Sequence, residues 1–331
     1  MAPLPTPRSP IPDLIFKARE AAAQDWDSIG FSPSEIGHEC DRRLWLSLRW
    51  AAPKEKIPGR IRRIFETGEI EERRIIADLR MIGVEVWDID EATGRQFSVR
   101  TLGGHVRGKL DGVCRNVPEA PAKWHILECK SHNDKSFKKL VSQGVQKVKF
   151  DHWTQMQIYM HVEGIDRALY GATNKNDDDI YYERVKYDHD YCVRTLARLE
   201  RILRSPTPPP KIAQNPEAPD CKWCPRRAIC WGGSFARVNC RTCVHSSPEM
   251  HGDAAWSCAR WAKPLTTDEQ RAACEAHLFI PDLVPGELID ADEVAETITY
   301  RLADGRMWTD GREPSPAPVE VEADPDTRER Q

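Results

Sequence analysis

The chain has 331 residues, 40% hydrophobic and 30% charged, with a formal net charge of −4, the profile of a soluble protein long enough for two domains and a sizeable core. No run approaches the roughly 20 apolar residues a membrane span needs, and the proline-rich arm 1–12 lacks a signal-peptide core, so a cytoplasmic protein without a membrane partner is expected. Eleven cysteines in that compartment argue against a disulfide framework.

In chain order, residues 13–25 read as a first helix. Ser32-Pro33-Ser34-Glu35 places a capping serine, a proline at the first helical position and a glutamate three residues on. The helix it predicts carries Ile36, Cys40, Leu44 and Leu48 along one stripe, with Cys40 turned toward the core or a cluster. Between Cys40 and Arg63 stand eight basic residues, Arg42, Arg43, Arg49, Lys54, Lys56, Arg60, Arg62 and Arg63, against Asp41 and Glu55. From Asp282 onward there are fourteen acidic residues against five arginines. An acidic tail can mask a basic face, so the overall charge does not exclude nucleic acid.

Residues 60–82 read as a long helix with Ile61, Ile64, Phe65, Ile75, Ile76 and Leu79 on its apolar side. Within it, Gly68-x3-Glu72 sets a carboxylate beside a residue without a side chain, where another backbone can approach; Glu69 and Glu71 compete with Glu72 for any role. Two short β-rich runs follow, at 84–89 and 96–101.

The centre of the chain is a pair of apolar runs, 105–114 and 124–131, flanking the turn Pro118-Glu119-Ala120-Pro121 and reading as an antiparallel hairpin. Pairing symmetric about that turn sets Asp111 opposite Glu128 and Lys109 opposite Lys130, with Asp111, Glu128 and Lys130 on one face. Carboxylates opposed at about 5 Å destabilise a sheet, whereas a divalent cation between them turns the defect into a site. Two hard oxygen ligands suit Mg²⁺ or Mn²⁺, and a lysine beside them can orient a metal-bound water or stabilise charge on a scissile phosphate.

Helices are expected at 136–143 and 151–163, the second carrying Gln155 and Tyr159 on one face, then strands at 168–173 and 180–186 and a helix at 189–203. The order predicts an α/β fold with a mixed central sheet flanked by helices. The segment 205–210 reads as a stiff proline linker. Beyond it lie Cys221-x2-Cys224-x5-Cys230, Cys240-x2-Cys243, Cys258 and Cys274, a hairpin around Asp304-Gly305, and a disordered tail from Glu313. Cys114, Cys129 and Cys192 read as buried thiols. The division expected is an arm and helix at 1–31, a core domain at 32–232, a cysteine-rich module at 233–285 and a hairpin with acidic tail at 286–331.

Asp111, Glu128-Cys129-Lys130, the upstream Gly68-x3-Glu72 and the downstream Gln155-x3-Tyr159 stand in an order that resembles RecB-like nucleases of the PD-(D/E)XK superfamily, over roughly residues 32–232. The resemblance implies a restriction-endonuclease-like core and a Mg²⁺- or Mn²⁺-dependent deoxyribonuclease, an exonuclease of recombination, repair or phage DNA processing. It implies that Asp111, Glu128 and the Cys129 carbonyl bind metal, that Lys130 assists the nucleophilic water, that Glu72 is a further metal residue where many relatives use histidine, and that Gln155 and Tyr159 contact DNA or support the site. Cys40 with Cys221, Cys224 and Cys230 resembles the iron–sulfur members of that group, including AddB-type and CRISPR-associated exonucleases, which implies a [4Fe-4S] cluster; zinc is the competing occupant of four thiolates.

The second set, Cys240, Cys243, Cys258 and Cys274, has enough ligands for a structural zinc ion, with His277 replacing Cys274 as the alternative. Trp256, Trp261, Leu278 and Ile280 are expected to pack around it. DNA is the expected partner, with recombination or replication proteins beside it; incoming phosphate would be steered by the 42–63 basic stretch and by Lys130, Lys135, Lys138, Lys139, Lys147 and Lys149. The alternative is a non-catalytic iron–sulfur or zinc DNA-binding module. No phosphate-binding loop, helicase motif set or nucleophile elbow is present.

Overall fold

The computed structural model describes residues 9–23, 27–53 and 56–311; the start of the arm, Lys54, Glu55 and the acidic tail lie outside them. The chain divides into two compact units, one made of 1–27, 54–97 and 109–187, the other of 28–53, 98–108 and 188–331.

The first unit is built on a five-stranded mixed sheet. Its strands run, across the sheet, Glu85–Trp87, Gly112–Arg115, His125–His132, Arg167–Asn174 and Ile180–Lys186. Gly112 pairs with Leu127, Val113 with Ile126 and Cys114 with His125, the register that symmetry about the Pro118–Pro121 turn predicts. His125–His132 is parallel to Arg167–Asn174, and the crossover a parallel pair requires is supplied by helices Asp134–Gln143, Val145–Val148 and Phe150–Glu163. Asn133 caps the first of these through Ser136 N at 2.9 Å, and Gly164 in the left-handed region ends the last.

Alternation along the central strand decides what each side chain meets. Leu127 and Cys129 join Ile75, Ile76, Leu79, Cys114 and Leu169 in a core cluster under helix Gly59–Met81; Glu128, Lys130 and His132 take the other face. The long helix departs from the sequence reading in its first half, where Ile64 and Phe65 are exposed. Helix Ile11–Ala21 lies against it, close enough that a side chain at Gly59 would meet the Phe16 carbonyl. Gly68 is not a close-approach position, since nothing lies within 4 Å of where its Cβ would stand.

The predicted 105–114 strand is broken. Val106–Lys109 pairs with Ser98–Thr101, Gly112–Arg115 pairs with the central strand, and Leu110–Asp111 form the break. The reason is local: the Asp111 carboxylate accepts the Cys129 amide at 2.7 Å, where a regular ladder would present a backbone carbonyl.

In the second unit the helix expected from Ser32 is only a turn, and the helix starts at Asp41 with Cys40 as its cap, the thiol accepting Arg43 N at 3.4 Å. His38 Nδ1 takes the Cys40 amide at 3.1 Å, a side-chain bond that competes with continuous helix. Helix His189–Arg204 is fastened to this segment by Arg198, which donates to Asp41 at 2.6 Å and to the His38 carbonyl at 2.6 Å. Arg49, expected on a DNA-facing surface, is instead 3% exposed and donates to the Arg241 carbonyl at 2.8 Å; burial pulls its pKa down to about 10. Two small antiparallel sheets complete the unit, one of Ser246–Pro248, Trp256–Cys258 and Lys263–Leu265, the other of Gly286–Asp292, Thr297–Leu302 and Met307–Gly311. The second contains the predicted turn, with Gly305 at φ +82°.

Candidate active site

The pairing that ends at Gly112 and Leu127 leaves Asp111 one step beyond the ladder, beside Glu128. The Asp111 side chain is 15% exposed, Glu128 is fully buried and Lys130 is 27% exposed. The Lys130 ammonium lies between them, 3.8 Å from Asp111 Oδ2, in contact with Glu128 Oε1, and 3.3 Å from the Cys129 carbonyl. Glu128 Oε2 is buried with no hydrogen-bond partner among the described residues, a cost of several kcal/mol if the group is charged and uncompensated.

Glu72 reaches the same place from the long helix, held by Gln96 Nε2 at 3.1 Å. Of the three competing glutamates it is the one that interacts with Asp111, Glu128 and Lys130 together. Burial and then the Asp111 charge push its carboxyl up to about 7, against the pull of Lys130. Burial lifts Glu128 to about 8, with Lys130 opposing and Asp111 adding to the rise. Burial works to lower the Lys130 pKa, but Glu128 and Asp111 outweigh it and the net shift is upward, so the ammonium stays charged. Three carboxylates thus share one lysine and repel one another, an arrangement a divalent ion relieves. As it stands, no group of three or more His, Cys, Asp or Glu side chains among the described residues is gathered to hold an ion; here the lysine ammonium sits where the carboxylates converge.

Helix Phe150–Glu163 supplies the wall. Gln155 Nε2 donates to the Tyr159 hydroxyl at 3.2 Å, and the phenol, buried and near Glu128, is held neutral by a raised pKa. One turn earlier, His152 joins His132, which by sequence reads as a lone histidine in a structural or exposed role, in a cluster the sequence did not show. The buried Tyr170 hydroxyl is flanked by His132 Nε2 and His152 Nδ1, each at 2.9 Å, and His132 Nδ1 meets Ser136 Oγ at 3.2 Å. The available signal was parity: His132 shares a face with Glu128 and Lys130. His125 is buried apart from this row, with Nδ1 3.1 Å from the Lys123 carbonyl; His105, in the second unit, is buried with Nε2 2.8 Å from the Glu249 carbonyl.

In the second unit, the electrostatics couple Cys221 to Cys224 and Cys40, and Cys230 to Cys40 and Cys224. Burial and neighbouring thiolates raise the pKa of Cys221, while the Trp231 side chain hydrogen-bonds it and opposes the rise; Arg42 and Lys211 oppose the rise at Cys230. Cys240, Cys243, Cys258 and Cys274 line a separate cavity with His245 and His277. Trp256, Leu278 and Ile280 are buried as expected, but Trp261 is 55% exposed.

No protein-family model matches the sequence, and no curated protein matches it. Among solved structures, the chain is similar to an alkaline exonuclease, LHK-Exo, from Laribacter hongkongensis, at 14% identity over 58% of this chain and 90% of that one, with a TM-score of 0.37. It is similar to LHK-Exo in complex with dAMP at 13% identity over 58% and 90%, TM-score 0.40, and to SSO0001 at 13% over 66% and 96%, TM-score 0.36. At scores this low the functional reading rests on the site's own residues.

Proposed function

We propose that the first unit is a divalent-metal-dependent deoxyribonuclease with a PD-(D/E)XK, RecB-like core, acting as an exonuclease in recombination, repair or phage DNA processing. The observation that carries the reading is the buried Glu128 carboxylate, one oxygen unpartnered, with Asp111, Glu72 and Lys130 around it.

The donor set fits a hard cation: Asp111, Glu128 and the Cys129 carbonyl would hold Mg²⁺ or Mn²⁺, with Glu72 beside them. Bound there, the ion would polarise a phosphate oxygen and make water a usable nucleophile near neutral pH. The chain's own groups do the rest. Asp111, tied to the Cys129 amide, presents its other oxygen at a fixed position. Lys130 holds its charge and, once freed from the carboxylates, would orient water and offset the negative charge that develops on the phosphate. Glu72, held by Gln96 Nε2 at 3.1 Å, would add a further carboxylate beside the ion. Tyr159 and Gln155, buried and hydrogen-bonded to each other, would wall and support the site. Lys135, Lys139 and Lys147 are exposed on the crossover helices and Lys149 is half-buried there, within the unit that holds the site; each would lower the salt dependence of binding by about one unit when neutralised.

Cys40, Cys221, Cys224 and Cys230 would hold a [4Fe-4S] cluster, a reading supported by the proximity of the four thiols within one unit and by the Arg43 amide donating to Cys40 at 3.4 Å. Anaerobic purification with visible absorption and iron analysis tests it, and zinc without iron overturns it.

The decisive experiment is digestion of linear and circular, single- and double-stranded DNA with Mg²⁺ or Mn²⁺. Cleavage of linear DNA by the wild type, absent in Asp111→Asn and Lys130→Ala with DNA binding retained, is the expected result. Binding without cleavage by the wild type would leave the non-catalytic DNA-binding module in its place.

A further inference from the structure

The cavity in the second unit stands apart from any nuclease chemistry. It has a volume of about 240 Å³ and is lined by four thiols, Cys240, Cys243, Cys258 and Cys274, with His245 and His277 in its wall. They come from three separate pieces of chain: the 3-10 turn Cys240–Thr242 and the residue after it, the end of strand Trp256–Cys258, and the segment following helix Thr267–Ala272.

Local geometry prepares the first pair. Asn239 closes a capping box with Thr242, and the Cys243 amide donates to the Cys240 carbonyl at 3.1 Å, folding Cys-x2-Cys into one tight turn. The backbone groups of Leu278 and His245 then hydrogen-bond the Cys243 thiol in the sense that favours its thiolate.

The other two thiols border the same cavity. Four thiols that would repel one another as anions around one cavity form the set a soft-ligand dication neutralises.

Of the two imidazoles in the wall, His277 is otherwise engaged. His277 is buried, its Nε2 3.2 Å from the Thr242 hydroxyl, its edge against Phe279 at 4.5 Å, and a backbone bond ties it to Asn239. It is committed to packing and leaves Cys274 as the fourth ligand. His245 is half-buried, with Nε2 unpartnered among the described residues, and borders the sulfurs from the wall.

We propose that Cys240, Cys243, Cys258 and Cys274 form a structural tetrathiolate zinc site. The four sulfurs line the cavity but are not gathered to ion-holding distance; binding Zn²⁺ would draw them together across it, and the protons they release go to solvent. The site staples a segment whose own elements are three-residue strands and a six-residue helix, too short to build much core beyond Trp256. It does not depend on the nuclease reading.

The test is metal analysis of the full chain purified without chelator. One zinc per chain is expected in the wild type, in Asp111→Asn, in Cys221→Ser and in His277→Gln and His245→Gln. It should be lost in Cys240→Ser and Cys274→Ser. Zinc retained in the last two variants, or lost in either histidine variant, overturns the all-cysteine assignment. Should the cysteine variants be insoluble, cobalt exchange of the wild type decides: sulfur-to-cobalt charge-transfer bands of a tetrahedral thiolate site support it, and their absence overturns it. Nuclease activity that fails in a protein with one bound zinc would count against the first unit's reading alone.

Discussion

The Asp111 carboxylate accepts the amide of Cys129 at 2.7 Å, so the residue before one strand is fastened between Glu128 and Lys130 of the next. This bond lets Asp111 stand at the end of the ladder without pairing as a strand residue. Asparagine can still accept the amide through its one carbonyl oxygen but removes a negative charge. Asp111→Asn should therefore change stability by less than about 1 kcal/mol and lower cleavage by about 10²-fold or more. Denaturant unfolding and single-turnover digestion of the same preparation check the two halves.

Tyr170 with its two imidazoles gives a pH dependence of stability. Burial first, then Lys149, Lys175 and Lys130, lower His132 to about 4; burial first, then Lys130 and His132, lower His152 to about 2. A base depressed in the folded state contributes stability that is complete above its ordinary value of 6.5 and lost as pH falls toward the folded value. Between about pH 6 and pH 4 each imidazole should contribute a slope of about 1 kcal/mol per pH unit. Urea titrations from pH 7 to pH 4 should show it, and His132→Asn combined with His152→Asn should flatten it. Tyr170→Phe should cost about 1–3 kcal/mol at pH 7, because two buried ring nitrogens lose their shared partner.

Gly171 lies on the sheet face packed against the long helix. It pairs with Cys129, and a Cβ there would stand 3.1 Å from Ile75 Cγ2 and 3.0 Å from Tyr182 Cε1. Ile75 is one turn from Glu72 on the same helix. Gly171→Val should cost about 1–3 kcal/mol through overpacking and should lower cleavage further by shifting Glu72. Comparison with Tyr182→Ala/Gly171→Val, which makes room on one side, separates crowding from a general loss of fold.

Arg241 is fully buried in the second unit and stacks 3.7 Å from the Trp50 ring centroid. Its guanidinium donates to the Leu48 carbonyl at 2.9 Å, the Ile29 carbonyl at 3.0 Å and Gln270 at 2.8 Å. Lysine keeps the charge but not the fork. Arg241→Lys should cost about 2–4 kcal/mol, measured as a lower midpoint for a thermal or denaturant transition.

Periodicity and turn chemistry were enough to place the central strands and their register, because a buried face allows one alignment and the Pro118–Pro121 turn fixes its origin. They also placed Asp111, Glu128 and Lys130 together, since residues of one parity share a face. They failed at Ser32, where the His38 side chain takes the Cys40 amide and delays the helix, and at Arg49, whose charge reads as surface until its carbonyl partners are known. Only the tertiary structure decided that Glu72 rather than Glu69 or Glu71 reaches the carboxylates, that His132 and His152 meet at Tyr170, and that His277 packs while four thiols line the cavity. Those contacts join segments far apart in the chain, and which of several like side chains makes them depends on helix rotation and packing, which local pattern does not encode.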